Sequence, residues 1–99
     1  MATYLMLGNY TDQGIRNARL LPRRVNAAKK LAKSFKGTLK QVCLAMGAYD
    51  MIATAEFPND EALAKFMLAL GSMGNIRTTT LRVFPEAEFR QIIKALPAA

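Results

Sequence analysis

Between Cys43 and Ile52, two apolar, strand-like runs meet at a Gly47-Ala48-Tyr49-Asp50 corner. A glycine followed by a polar pair between hydrophobic runs is the chemistry of a reversal, so the chain is committed there to an antiparallel pair of strands. Leu39 to Met46 makes one arm and Met51 to Phe57 the other.

The remaining elements follow from periodicity. Thr3 to Asn9 is β-rich and apolar on both faces, as a central strand covered on both sides requires. Thr11-Asp12 offers a helix cap with an acid well placed for the helix dipole, and Leu21-Pro22 interrupts the pattern after about two turns. Two helical pieces are therefore expected, the second from about Pro22 to Lys36 with Gly37 as its C-terminal cap. Val25, Ala28, Leu31, Ala32 and Phe35 share one face of it, while Lys29, Lys30, Lys33 and Lys36 fall opposite. Pro58-Asn59-Asp60-Glu61 supplies a stop, a cap and first-turn acids before Leu63, Phe66, Met67 and Leu70 repeat at helical spacing. That helix ends near Gly71 to Gly74, where Gly71-Ser72-Met73-Gly74 reads as a cap and turn. It is not a phosphate loop, because it follows a helix and lacks a Lys-Ser/Thr pair. Asn75 to Phe84, with Thr78-Thr79-Thr80, is a strand, and Pro85-Glu86 opens a short helix bearing Phe89, Ile92, Ile93 and Leu96.

The order strand, helix, strand, strand, helix, strand defines one α+β domain over residues 1–99: a ferredoxin-like βαββαβ fold with a four-stranded antiparallel sheet and an extra C-terminal helix. Both main helices cover one face. Leu5, Leu7, Val42, Leu44, Met51, Ala53, Ala55, Leu81 and Val83 are expected beneath them. The opposite face then holds Tyr4, Met6, Gly8, Gln41, Cys43, Ile52, Thr54, Glu56, Ile76, Thr78, Thr80 and Arg82. Such a mixture is too apolar to be merely solvated, and stacking two sheets across a twofold axis would bury it in a dimeric α+β barrel, filled or hollow. The methionines read as gap-fillers, with Met6, Met46 and Met51 in strands.

Composition excludes several chemistries. The chain has no histidine, so Ser-His and Cys-His nucleophiles, His-ligated zinc and proximal-His haem are absent, and neither a metal nor a cofactor is expected. Every apolar run is broken well short of about 18 residues, which argues against a membrane span. The N-terminus has no basic region ahead of its short apolar run and reads as the first strand, giving a cytoplasmic assignment by default. The single Cys43, inside a strand, is expected to be a buried, inert hydrophobe. The net charge of +7 is concentrated, since Arg16, Arg19, Arg23, Arg24, Lys29, Lys30, Lys33, Lys36 and Lys40 hold nine of fourteen basic residues. A basic first helix can attract phosphate backbones, but a solvated face explains Arg23, Lys29, Lys30, Lys33 and Lys36 as well, and the aromatics do not suit base stacking. Arg24 is the exception: it falls on the apolar side, to snorkel or to meet a carboxylate of another subunit.

The opening Tyr4-Leu5-Met6-Leu7-Gly8-Asn9-Tyr10-Thr11-Asp12-Gln13-Gly14-Ile15-Arg16, the Met46-Gly47-Ala48-Tyr49-Asp50 corner and the Leu70 to Arg82 segment together resemble the GYD domain family, named for its Gly-Tyr-Asp signature. Gly47, Tyr49 and Asp50 fit that signature, and Gly8, Thr11, Gly14, Gly74, Asn75 and Thr78 to Thr80 fit the surrounding pattern. The resemblance implies a small bacterial protein of ferredoxin-like, oligomeric build. It implies no particular reaction.

Each signature residue has a structural reading: Gly47 a positive backbone dihedral, Asp50 hydrogen bonds to turn amides, Tyr49 a ring over the sheet edge. The functional reading gathers Tyr4, Tyr49, Asp50, Thr78, Thr80 and Arg82 as a ligand-binding or interface set. Two functions follow. One is a non-enzymatic homo-oligomeric module whose sheet face forms a subunit interface or binds a small polar molecule. The other is a cofactor-independent enzyme, an oxygenase or isomerase of the dimeric barrel type, with Tyr49, Asp50 and Arg82 around a hollow interior. Weak nucleic-acid binding through the basic helix ranks third.

Overall fold

Each expected element forms, and local chemistry sets its ends. The computed structural model describes residues 1–98. In chain order these make β1 (Ala2–Tyr10), α1 (Asp12–Arg16), a 3-10 turn at Ala18–Leu20, α2 (Leu21–Ser34), β2 (Thr38–Leu44), β3 (Met51–Phe57), α3 (Asp60–Ser72), β4 (Ile76–Val83) and α4 (Glu86–Lys94). Thr11 caps α1 by accepting the Gly14 amide, and Asn59 caps α3 by accepting the Ala62 amide. Pro22 sits in the first turn of α2, where its missing N–H leaves no bond unmade. The left-handed residue after α2 is Lys36 (φ 62°) instead of the expected Gly37. Gly37 is needed for a different reason: a Cβ there would lie 2.2 Å from the Phe57 ring.

The sheet order is β2-β3-β1-β4, with every neighbouring pair antiparallel, which is the ferredoxin-like arrangement. β1 lies at the centre, as expected, but beyond Thr3, which is buried on the far side, it is covered on one side only. Tyr4, Met6 and Gly8 are buried, whereas Leu5 and Leu7 are partly open. Register carries this division across the sheet, because Tyr4 faces Ala55 and Arg82, Met6 faces Ala53 and Thr80, and Gly8 faces Met51 and Thr78.

The face assignment expected from alternation is therefore correct for β2 and β3, except that Leu44, expected beneath the helices, is 71% exposed at the end of β2, and it is inverted for β1 and β4. Tyr4, Met6, Thr78, Thr80 and Arg82 belong to the helix-side set, and Leu5, Leu7, Leu81 and Val83 join Gln41, Cys43, Ile52, Thr54 and Glu56 on the open side. Alternation groups residues by side without saying which side is covered, and in β1 both groups are apolar. Two smaller corrections follow. Cys43 is exposed on that open side and is not buried, and Met46 lies beyond the end of β2, almost wholly in solvent.

The core sits between the sheet and the pair α2 and α3. Its largest fully buried side chains are Tyr4, Phe57 and Phe66, with Phe57 edge-on to Tyr4 at 6.3 Å and tilted against Phe66 at 5.2 Å. Ala32, Leu63, Leu31, Phe35, Met67 and Leu70 complete it from the helices, as their spacing predicts. By contrast, α4 buries none of its residues, and Phe89, Ile92 and Ile93 stay about half exposed. No helix among the described residues is long and apolar enough to cross a membrane.

Candidate functional site

The β2–β3 connection owes its shape to Gly47. Its φ of 123° is open to glycine and strained for other residues, while space alone would admit a side chain there. The chain then returns so that the Ala45 amide donates to the Asp50 carbonyl (2.7 Å) and the Asp50 amide to the Gly8 carbonyl (2.8 Å). The Asp50 carboxylate accepts the Tyr10 amide at 2.9 Å, closing the end of β1. Asp50 thus ties the corner to the central strand. Tyr49 is half-buried beside it and makes no side-chain hydrogen bond among the described residues.

The neighbouring motif residues form a latch. The Thr11 hydroxyl donates to the Gly74 carbonyl (2.6 Å), the Thr11 amide to the Asn75 carbonyl (3.1 Å), and Gln13 Nε2 to Asn75 Oδ1 (2.9 Å). Gly74 has φ 83°, and a Cβ on Gly14 would stand 2.0 Å from the Asn75 carbonyl oxygen. α1 is thereby pinned to the turn between α3 and β4. Arg24 neither snorkels freely nor meets a carboxylate among the described residues; its Nη2 donates to the Gly14 carbonyl at 3.0 Å.

At the other end of β1, the buried Tyr4 hydroxyl donates to Asp60 Oδ1 at 2.5 Å. Arg82 lies over the Tyr4 ring (5.7 Å) and the Phe84 ring (4.3 Å), donates to the Thr3 and Val83 carbonyls, and pairs with Glu88 at 3.4 Å. Thr80 instead donates to the Met67 sulfur at 2.9 Å, and Thr78 stands opposite Gly8. Five of the six predicted site residues therefore fall into two groups, and Thr80, opposite Met6, lies between them. Asp50, Tyr49 and Thr78 lie near Gly8, and Tyr4 and Arg82 near the far end, about 13 Å away at roughly 3.3 Å per residue. Tyr49, Asp50 and Arg82 are not brought around one point. Sequence reasoning missed Asp60 as Tyr4's partner, although a phenol in a central strand needs one.

Burial, then the hydrogen bond to Asp60 and its negative charge, push the Tyr4 hydroxyl up to about 12, against a smaller opposing pull from Arg82. At neutral pH it keeps its proton and is a donor, not a base. Between about pH 10 and 12 the folded chain holds a proton that the unfolded chain has released, so Tyr4 stabilises the fold below pH 10 and loses that contribution as pH rises towards 12. Denaturant unfolding across this range should show a falling stability whose slope is shallower in Tyr4→Phe; an unchanged slope would mean that Tyr4 ionises normally.

Among the described residues, no cluster of three or more Cys, Asp or Glu side chains has metal-site geometry. Lys29, Lys30, Lys33 and Lys36 stand exposed with Arg23 on the solvent side of α2 and its C-terminal turn.

Over 89 residues the chain is 28% identical to a Thermus thermophilus protein described as glutamine synthetase and cystathionine beta-lyase binding protein, covering 89% of this chain and 94% of the relative. The GYD domain model matches residues 4–93, a span that takes in the corner, the latch, most of β1 and the other three strands, and the chain belongs to the GYD domain family.

Proposed function

We propose that this chain is a protein-binding module that associates with copies of itself through the open face of its sheet and docks on metabolic enzymes. The observation that carries the reading is the open face itself, where Leu81 stands 46% exposed and Leu5, Leu7, Ile52 and Val83 are partly open among Thr54, Thr79 and Gln41. Four strands about 4.8 Å apart and roughly 25 Å long offer a face on the order of 500 Å². A stable interface takes about 800 Å² per partner. The apolar side of α4, with Phe89, Ile92 and Ile93 unpacked in the single chain, supplies the remainder when the sheets of two copies stack. Cys43 and Ile52 then become interior positions.

Protein partners beyond a second copy are supported by the Thermus thermophilus relative, whose description names glutamine synthetase and cystathionine beta-lyase as what it binds. The Tyr49 hydroxyl, without an internal partner among the described residues, remains available at the corner for such contacts. A buried tyrosine that holds its proton to about pH 12 and a Tyr49–Asp50 pair far from Arg82 give less support to a barrel enzyme.

Native mass spectrometry with light scattering tests the first part. The wild type is expected as a symmetric oligomer and Leu81→Asp as a monomer with an unchanged far-ultraviolet spectrum; a monomeric wild type would overturn self-association. For the second part, purified glutamine synthetase and cystathionine β-lyase from the same host should be retained by the immobilised protein, and failure to retain either would overturn enzyme docking.

A further inference from the structure

Between α2, α3 and the sheet lies a cavity of about 130 Å³. Protein interiors rarely leave such a space, since side chains there pack like organic crystals. Here it arises because small residues face one another, Ala53 from the sheet and Ala28 from α2, among Val42, Phe66 and Leu70; Gly8 also lines it, with the Ile76 side chain closing over it. Ala27 and Met73, which also line it, are exposed, so the cavity opens to solvent; its volume is close to that of an apolar cavity that admits benzene, and the space suits an apolar body of about six carbons.

Two polar groups on its wall are incompletely used. The Tyr10 hydroxyl is buried and has no hydrogen-bond partner among the described residues, an arrangement folded proteins seldom tolerate. Arg24 is half-buried, makes one hydrogen bond, to the Gly14 carbonyl, and faces no carboxylate within the described chain, leaving most of its donors free. Burial raises the Tyr10 pKa; the Arg24 charge opposes the rise and the Asp50 charge adds to it, so this hydroxyl stays a donor within the field of a cation.

We infer that this cavity binds a small monocarboxylate, its apolar body among Gly8, Ala28 and Ala53 and its carboxylate accepting from Tyr10 Oη and the Arg24 guanidinium. The size of the space, the apolar lining, the unpartnered Tyr10 hydroxyl and the Arg24 guanidinium beside it select the same chemical class: a short-chain aliphatic or single-ring acid. A dicarboxylate would bring a second charge into an apolar wall, and acetate would leave the space unfilled. The site lies on the covered side of the sheet, so occupancy and self-association through the open face are separate properties.

Hexanoate is the probe, titrated into the full-length protein and followed by amide chemical shifts, with hexan-1-ol and acetate as comparators. Saturable shifts at Gly8, Ala28 and Ala53 are expected with hexanoate, at least about tenfold weaker with the alcohol, as loss of a charge-assisted hydrogen bond implies, and absent with acetate. Ala28→Leu fills the space and should abolish binding. Arg24→Gln and Tyr10→Phe, whose fold is checked by circular dichroism, should weaken hexanoate by a larger factor than hexanol, which keeps the test decisive should Ala28→Leu misfold. Absence of saturable shifts, equal affinity for acid and alcohol, or indifference of hexanoate to both polar variants would each overturn the assignment.

Discussion

Phe57→Ala lowers the free energy of unfolding by about 3–5 kcal/mol and the melting midpoint by at least about 12 °C. The size of the loss follows from where the ring sits. Phe57 is fully buried at the end of β3, edge-on to Tyr4, against Phe66, and so close to Gly37 that no side chain fits there. Its removal empties the space between α2, α3 and the sheet, and the backbone on both sides is held by ladder and helix hydrogen bonds that resist collapse. Against a typical total of about 5–15 kcal/mol, one truncation consumes a large share. Denaturant unfolding measures it directly; a loss below about 1 kcal/mol would show that the three aromatic rings do not form a common core.

Gly14→Ala is expected to destabilise by about 3 kcal/mol, at the upper end of overpacking penalties. The sign is the informative part. In a helix such a change ordinarily stabilises by about 0.4–1 kcal/mol, because alanine has fewer unfolded conformations to lose. At Gly14 the new methyl would lie 2.0 Å from the Asn75 carbonyl oxygen and 2.9 Å from its carbon, and backbone atoms cannot rotate away as a flexible side chain can. Relief requires α1 to separate from the α3–β4 turn, which breaks the bonds from Thr11 to Gly74 and Asn75. Gly71→Ala is the comparator: it too is helical, but a Cβ there meets nothing within 4 Å, so neutrality or slight stabilisation is expected. Equal effects at the two positions would remove the latch from the account of the fold.

Much of the fold was legible in the chain. The corner at Gly47 to Asp50, the caps at Thr11 and Asn59, Pro22 in a first turn and the apolar faces of α2 and α3 are local features, each deciding within a few residues what the backbone does. Their order leaves few topologies, and the strand order β2-β3-β1-β4 is the expected one. The candidate site was less legible. Tyr4, Thr78, Thr80 and Arg82 were grouped correctly with one another and assigned to the wrong side, and Tyr49 and Asp50 proved to lie at the other end of the sheet from Arg82.

The difference has one physical source. Period-two alternation, capping and turn chemistry act between neighbours in sequence, so residue identity determines them. Which face of a strand is covered, and which distant groups meet, depends on the sum of contacts across the sheet. In β1, where Leu5 and Leu7 alternate with Tyr4 and Met6, the local signal is balanced and the tertiary structure decides. Tyr4 goes inward because Phe57, Phe66 and the Asp60 carboxylate receive its ring and its hydroxyl together, and the leucines are left on the open face. The placement of Tyr10 and Arg24 on the wall of one cavity, across two elements and fourteen residues, is likewise set only when α2 settles on the sheet.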